Sequence, residues 1–464
     1  MGKLITFWLR QHLKQGRILV IYILAFVLFL LSAFVYTTRF QADIDSRNAV
    51  NRLLENTIAA VENADQLSAT QMDILLPASS QRFVVDNNLD DMPISRGTNP
   101  LTVTLPENVG GKRVEFIGLW DIDLAFLVGV IFSFLAVVMT FDSVSGEKEG
   151  GTLRLLLSNS VPRYQIVLSK IIAAALTIGI PLLVGLVINS LFLNFTGVIA
   201  FDLEQAFILF CFILLSAVFL FFYCALGVLI SSLNRNSITS LVILLLLWVA
   251  LVVLVPGMSR PIAREVVNVK KQEELNEEIT SHWRDFFQRY HEVGAWDRSY
   301  EVAKADAFRK EFKWGGIRDI LLNNIQGTLD SHLRDMYEQA ELARSISRLS
   351  PNMVYKFALS RIAGTGYLTV KDFYSQVGRY KRTLFNFLKN QDALDSGSPH
   401  IYGSQGRGYL SRKPLTADIP RFSYHKASMS VRLGDVSVDS LILFTLVACA
   451  VLGCVFVFNR YDVR

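Results

Sequence analysis

The chain has 464 residues, of which 52% are hydrophobic and 19% are charged. With a mean hydropathy of +0.36, it is too apolar for an ordinary globular protein and too charged to lie wholly within a bilayer, which predicts a membrane protein with substantial parts in water. The net charge of +5 does not indicate nucleic-acid binding, because basic residues beside membrane helices are expected for topology.

Six apolar runs are long enough to cross a bilayer, whose core needs about 20 helical residues. They cover about residues 18–36, 122–141, 171–195, 206–229, 238–255 and 438–458. The first run follows basic residues without an acidic one, which predicts a cytoplasmic N-terminus. A cleaved signal peptide is disfavoured, because the run exceeds about 7–15 residues and no small-x-small cleavage site follows. Six spans then return the C-terminus to the cytoplasm.

The polar insert at residues 39–121 is predicted to lie outside the cell, after the first span (1–38). Apolar residues at helical spacing predict that the first helix continues into it, from Ile44 to Val61. Later prolines, the pair Gly110-Gly111 and the alternation in Leu101–Leu105 predict short strands and turns. An α+β insert is therefore expected.

Residues 122–257 hold spans 2 to 5, and Pro256-Gly257 predicts the end of the fifth span. Residues 258–436 follow as a mainly helical domain. Its pattern predicts one or two amphipathic helices over 263–312, another over 321–343 that stops near Pro351, and one over 371–388, then an extended loop over 392–422. Its excess of basic residues would favour the cytoplasm, but that rule governs short loops, and five spans place the domain outside. Residues 437–464 form the sixth span and the C-terminus.

A polar stretch at residues 142–170 lies between the second and third spans. The pair Gly150-Gly151 allows a backbone reversal, and Leu153, Leu156 and Leu157 would form one narrow apolar face of a short helix. Such a helix is suited to the membrane surface or to a groove on a soluble partner. An ordinary surface turn is the alternative.

The residue order of this stretch resembles the first cytoplasmic loop of ABC-2 type transporter permeases. The matching residues are Glu147, Glu149, Gly151, Thr152, Leu153, Leu156, Leu157, Pro162, Arg163 and Lys170. Ser169 departs from the glycine that many relatives have there. Residues 346–351, 419–422 and 460–464 resemble the branch with a large outer domain between the fifth and sixth spans, which includes gliding-motility and nitrous-oxide-reductase-maturation permeases.

The resemblance implies a membrane α-helical fold with six transmembrane helices, similar to ABC-2 or type V exporters. It implies that the loop holds a coupling helix seated in a separate ATP-hydrolysing subunit. The residues expected at this coupling site are Glu147, Glu149, Gly151, Thr152, Leu153, Arg154, Leu156, Leu157, Pro162 and Arg163. The implied partners are an ABC ATPase and a second permease, identical or similar, in a bacterial inner membrane with both termini cytoplasmic.

The sequence has no Walker A motif, G-x-S-x-G, H-E-x-x-H or C-x-x-C. The chain is therefore expected not to be an enzyme and to hold no metal or cofactor, with ATP and Mg²⁺ bound by the partner ATPase. No nucleic-acid partner is expected. Few ionisable residues lie in the spans, which argues against a proton-coupled carrier or a channel. The rival hypothesis is a membrane-anchored structural or mechanotransmitting module whose outer domain recruits an extracytoplasmic protein without moving a substrate.

Overall fold

The computed structural model describes residues 1–13, 16–86, 95–101, 122–158, 161–199, 202–292, 300–398, 400, 402 and 410–460. Within these ranges, six helical segments are long and apolar enough to cross a membrane. We call them spans 1 to 6: Ile18–Ala59, Leu124–Glu149, Arg163–Phe195, Leu203–Leu233, Ser237–Val266 and Met429–Asn459. The predicted membrane α-helical fold with six spans is confirmed.

The helices of the membrane part follow one another with short connections. Helix α1 (Gly2–Leu13) precedes α2 (Gly16–Ala59), which is span 1. Span 2 consists of α4 (Leu124–Phe126), a π-helical stretch (Leu127–Phe132), α5 (Ser133–Thr140) and α6 (Ser145–Glu149). After α7 (Thr152–Leu157) come α8 (Arg163–Phe195) and α9 (Leu203–Leu233), which are spans 3 and 4. Span 5 comprises α10 (Ser237–Val249), a second π-helical stretch (Ala250–Leu254) and α11 (Val255–Val266), and span 6 is α16 (Met429–Asn459).

Small residues let the spans approach closely, as is usual where lipid gives helices no hydrophobic drive to associate. A Cβ atom on Gly185 of span 3 would overlap the ring of Phe29 in span 1. A Cβ atom on Gly227 of span 4 would overlap Thr140 of span 2. Asn189 of span 3 adds an interhelical hydrogen bond, donating its amide N–H to the Phe29 carbonyl at 3.0 Å.

The fifth span does not end at Pro256-Gly257, so that prediction is wrong. The helix continues through Pro256 into α11, which reaches Val266. Proline lacks an N–H and its ring clashes with the carbonyl four residues earlier in a regular helix. Here the preceding π-helical stretch widens the turn, and the N–H of Val255 bonds the carbonyl of Ala250 instead. The wider turn accommodates the proline without breaking the helix.

The insert after span 1 has the mixed character that was predicted. Helix α2 continues without a break to Ala59, which confirms the predicted extension of span 1. It is followed by α3 (Ala64–Ala69), strand β1 (Met72–Leu75), a 3₁₀ turn (Ser80–Phe83) and strand β2 (Ser95–Thr98). The strands pair antiparallel, with Met72 opposite Thr98. Of the stretch predicted as a strand, only Leu101 is described; residues 102–105 and Gly110-Gly111 lie outside the described residues.

The region between spans 5 and 6 is helical, as its periodicity predicted. Helix α12 (Gln272–Glu292) and α13 (Tyr300–Ser347) pack together as a hairpin, and α14 (Pro351–Ala363) and α15 (Tyr367–Ala393) follow. The predicted apolar face of α15 is buried, with Phe373, Val377, Leu384 and Leu388 in one core together with residues of the first insert. Helix α14 packs against spans 4 and 6, so this region sits directly on the membrane helices.

Span 6 begins nearer to Met429 than to Val438, where the apolar run starts. The additional residues include Arg432, which is buried, and Asp439 just inside the predicted run is buried as well, so a hydropathy pattern places the start of this helix too late. Their charges are paired with residues of span 4 and of the region between spans 5 and 6. Tertiary pairing therefore allows ionisable residues that the spans were expected to lack almost entirely.

Candidate functional site

The predicted site is formed by residues 142–158, which we call the linking segment. It contains α6 and α7, joined by Gly150-Gly151. Gly151 has φ +69°, in the left-handed region that favours glycine, whereas Gly150 has an ordinary helical φ of −77°. Only the second glycine is therefore required for the reversal. Residues 159 and 160, within the predicted loop 142–170, lie outside the described residues.

Glu147 connects the linking segment to span 3. Its carboxylate accepts a hydrogen bond from the ammonium of Lys170 at 2.7 Å. The Lys170 side chain is only 4% exposed and also donates to the carbonyl of Ser143. On another side, its Nζ lies 3.9 Å from the centre of the Trp8 ring, a cation–π contact that brings in helix α1. One buried cation thus holds α1, span 3 and the linking segment together.

The next two charged residues connect the segment to spans 4 and 5. Lys148 donates to the carbonyls of Ser232 and Asn234, where the C-terminal end of a helix favours a cation. Glu149 accepts from the backbone N–H of Ser237 at 2.9 Å and from its hydroxyl at 2.8 Å. A carboxylate at the first turn of span 5 satisfies backbone donors that the helix leaves free.

A serine cluster fixes the start of α6 against the same helices. The hydroxyl of Ser231 accepts hydrogen bonds from the backbone N–H of Val144 at 3.0 Å and of Ser145 at 2.9 Å. The hydroxyl of Ser145 lies 3.1 Å from that of Ser231 and donates to that of Ser237 at 3.3 Å. These residues bring together the ends of spans 2, 4 and 5.

Helix α7 has one side against the protein and one in solvent. Leu153 is buried, and Leu156 and Leu157 are partly buried against the core of the spans. The solvent side is formed by three residues: Thr152, Arg154 and Leu155. Leu155 is 71% exposed, an unusual position for a leucine on a short, polar-flanked helix. The predicted narrow apolar face therefore attaches the helix to its own chain, and a partner would meet the opposite side.

Pro162 and Arg163 begin span 3. Pro162 immediately precedes the helix, a position at which its missing N–H costs no helical hydrogen bond. Arg163 donates to the backbone carbonyl of Asn459 at 2.9 Å, at the C-terminal end of span 6. This hydrogen bond connects the start of span 3 to the end of span 6.

The sequence pattern did not show which way the side chains of these residues point. Both predicted carboxylates, Glu147 and Glu149, face helices of their own chain. Leu155 was missed, although its position between Arg154 and the leucine pair marks it as the apolar residue outside the predicted face. Trp8 was also missed, since nothing in the sequence of α1 links it to Lys170.

The arrangement connects the linking segment to three spans. Three consecutive charged residues each attach to a different span through a hydrogen bond to or from a charged group. A displacement of α6 and α7 would consequently be delivered to several spans at once. Within the described ranges, no group of three His, Cys, Asp or Glu side chains could hold a metal ion.

The sequence matches a known protein family over almost its whole length: a family model described as "ABC-2 family transporter protein" covers residues 9–462. The chain is also similar to a "Probable ABC transporter permease protein NosY" of Stutzerimonas stutzeri, with 37% identity over 62 residues. That stretch is 13% of this chain and 22% of the relative, so the similarity covers less than a quarter of that protein.

Proposed function

The chain belongs to the ABC-2 family of transporter proteins, and from this we propose that it is a permease subunit driven by a separate ATPase through the linking segment. The observation that carries the proposal is the two-sided character of this segment. Its inner side is bonded to spans 3, 4 and 5 by Glu147, Lys148 and Glu149, while Arg154 and Leu155 face solvent. A segment that transmits movement from a soluble ATPase to membrane helices must contact the ATPase on one side and the helices on the other.

The bonding pattern suggests how a motor would act. Closure of two ATPase subunits would move α7, and the rigid contacts of α6 would carry that displacement into the ends of the spans. Spans 2 and 5 contain the two π-helical stretches, and the indole N–H of Trp248 in span 5 donates to the hydroxyl of Ser133 in span 2 at 2.9 Å. Such stretches are frequent at functional sites of helices, and here both helices can adjust their pitch.

A second permease subunit would pack against span 5. This span is the least buried of the six, since only 17% of its most apolar 18-residue stretch is buried inside the protein. Its exposed residues recur at helical spacing along one side: Ile238, Val242, Leu246, Val249 and Val253. Homodimeric and heterodimeric assemblies both fit this surface.

The proposed location is the bacterial inner membrane, with the linking segment and both termini in the cytoplasm. The basic residues near the N-terminus support this orientation. With the linking segment inside, the ends of spans 4 and 6 that carry Glu204 and Arg432 face outwards, as does the helical region from α12 to α15. ATP and Mg²⁺ belong to the partner ATPase in this scheme.

Substitution of Leu155 by aspartate tests the proposal. The exposed leucine makes no contribution to the core, so the Leu155→Asp variant should fold, yet a charge buried at the ATPase contact should weaken binding at least tenfold. Co-purification of the ATPase with the tagged chain is the measurement. Leu394→Asp is the matched control, because Leu394 is 66% exposed in the region between spans 5 and 6. ATPase recovery that is equal in both variants would refute a docking role for α7.

The structural or mechanotransmitting alternative is favoured by one observation, the α12–α13 hairpin. It carries an aromatic group formed by Trp283, Phe286 and Phe287, and Phe287 is 42% exposed. An aromatic surface of this kind suits contact with another protein. The same purification separates the hypotheses: a stoichiometric ATPase favours the permease, whereas a stable complex with extracytoplasmic protein alone favours the anchor.

A further inference from the structure

A cluster of basic side chains lies at the ends of spans 4 and 6 that are remote from the linking segment. Asp439 of span 6 has a fully buried carboxylate that faces three guanidinium groups, with Arg348 at 2.8 Å, Arg361 at 3.6 Å and Arg344 at 3.9 Å. Only the first distance is that of a hydrogen bond. One carboxylate is thus surrounded by three cations and bonds closely to one of them.

A second carboxylate next to this group is also shared. Glu204, in the first turn of span 4, accepts from Arg432 at 2.6 Å and from Lys426 at 3.1 Å through the same oxygen atom. Arg432 is 7% exposed and also donates to the Ile362 carbonyl at the end of α14. Its Nε is buried and has no hydrogen-bond partner among the described residues.

A cleft of about 50 Å³ opens between these cations. Four of the cations line the cleft: Arg344, Arg361, Arg432 and Lys426. The start of α15 also lines the cleft, and Asp372 supplies its one carboxylate among the described residues. The Nε atoms of Arg344, Arg361 and Arg432 are buried without hydrogen-bond partners among the described residues. That of Arg361 faces the Oδ2 of Asp439 at 3.6 Å, and this oxygen also lacks a hydrogen bond. Since a buried donor without a partner costs about 1–3 kcal/mol, the remaining two at one cleft, on Arg344 and Arg432, indicate a missing acceptor.

The charges do not balance. Five cations of the cluster face three carboxylates, Asp439, Glu204 and Asp372, which leaves two positive charges in excess. The Arg344, Arg361 and Arg432 side chains are largely shielded from water, whereas Lys426 and Glu204 reach it. Burial and the neighbouring Arg361 lower the pKa of the Arg344 guanidinium to about 10, which still leaves it charged at neutral pH. Helix α15 begins at the cleft after Gly366, which provides no side-chain cap, so the positive end of a 27-residue helix adds to the field.

We propose that this cleft binds a doubly charged tetrahedral oxyanion, a phosphate or phosphomonoester group. The charge of two matches the excess in the cluster, and the guanidinium groups offer the forked donors that suit phosphate oxygens. By the space that one water occupies, about 10–15 Å³, the cleft has room for about three to five non-hydrogen atoms, and a tetrahedral oxyanion is at the upper limit of this range. The cleft lies where spans 4 and 6 leave the bilayer, so the group comes either from a lipid headgroup or from solution.

Inorganic phosphate is the first probe, added to the purified full chain in an uncharged detergent and compared with chloride at equal ionic strength. Phosphate should raise the melting temperature of the wild type with a measurable Kd. That Kd should increase about tenfold in Lys426→Gln and in Arg344→Gln, since each loses a charge-assisted contact. Lys426 lies at the rim with a 36% exposed side chain, so its variant keeps the fold even if the Arg344 variant does not. Arg421→Gln, which removes a charge from a 69% exposed side chain paired with Glu55, is the matched control and should bind like the wild type.

Nanodiscs of phosphatidylcholine, with and without phosphatidic acid, identify the source of the group. If the lipid supplies it, phosphatidic acid stabilises the wild type, abolishes the effect of free phosphate and loses its own effect in Lys426→Gln. If the source is soluble, phosphate binds equally in both nanodiscs. The proposal is overturned if neither probe stabilises the wild type, or if both cleft variants bind as tightly as the Arg421 control. Neither ATP nor an ATPase is required, so the outcome is independent of the proposed permease function.

Discussion

The ion pair between Glu147 and Lys170 allows a quantitative test of how the linking segment is held. Lys170 is 4% exposed and Glu147 16% exposed, so the two partners are not equally able to reach water. Removal of one partner from a buried pair costs about 3–5 kcal/mol, because the remaining charge is left uncompensated. In Glu147→Ala the ammonium keeps the Ser143 carbonyl and the Trp8 ring, which places the expected loss near the lower limit, about 3 kcal/mol.

Substitution of the other partner, Lys170, should reduce the free energy of unfolding by less. In Lys170→Met the remaining Glu147 side chain is 16% exposed, although its Oε2 is buried without a hydrogen-bond partner already in the wild type. The thioether can still contact the Trp8 ring, so we expect a loss of about 1–2 kcal/mol. The double variant should lie within about 1 kcal/mol of the wild type, because replacement of a whole buried pair by apolar side chains is often nearly neutral. The coupling energy is then at least about 3 kcal/mol.

Reversible unfolding in mixed micelles, with sodium dodecyl sulfate as the denaturant, measures all four proteins. The reasoning is refuted if the two single losses add in the double variant, or if Lys170→Met is the more damaging substitution. Either result would mean that the ammonium is not confined by the contacts described.

Two further predictions concern the Gly150-Gly151 turn and the helices between spans 5 and 6. Gly151→Ala should destabilise the protein by about 1 kcal/mol, because the φ of Gly151 is +69° and no atom crowds the position. Gly150→Ala, at φ −77°, should be neutral in the same unfolding measurement. Equal effects of the two substitutions would contradict the conformational argument. Burial lowers the pKa of His332 below its ordinary 6.5, so the native state binds fewer protons than the unfolded state and stability should fall as pH decreases through about 6.5. Thermal unfolding between about pH 7.5 and 5 should show a smaller pH dependence of stability for His332→Leu than for the wild type. His425→Leu, a substitution of an exposed histidine, is the control and should show the same pH dependence as the wild type. An unchanged pH dependence in His332→Leu would exclude this histidine as the cause.

The sequence by itself determined the six spans, the helical nature of the region between spans 5 and 6, and the position of the linking segment. The physical reason is that these features depend on local patterns: a bilayer requires about 20 apolar residues per helix, and an amphipathic helix repeats every 3.6 residues. The prediction at Pro256 was wrong because the rule for proline assumes a regular α-helix, whereas a π-helical stretch precedes it.

Only the tertiary structure decided which way the charged residues point. Glu147 meets a partner 23 residues away and Glu149 one 88 residues away, and no pattern in the sequence specifies either pairing. The cluster around Asp439 likewise gathers residues from spans 4 and 6 and from the region between spans 5 and 6, so its excess of positive charge exists only after folding. Hydropathy and periodicity describe each helix against its solvent, but the partners of a buried charge depend on distances between helices, which the folded structure alone sets.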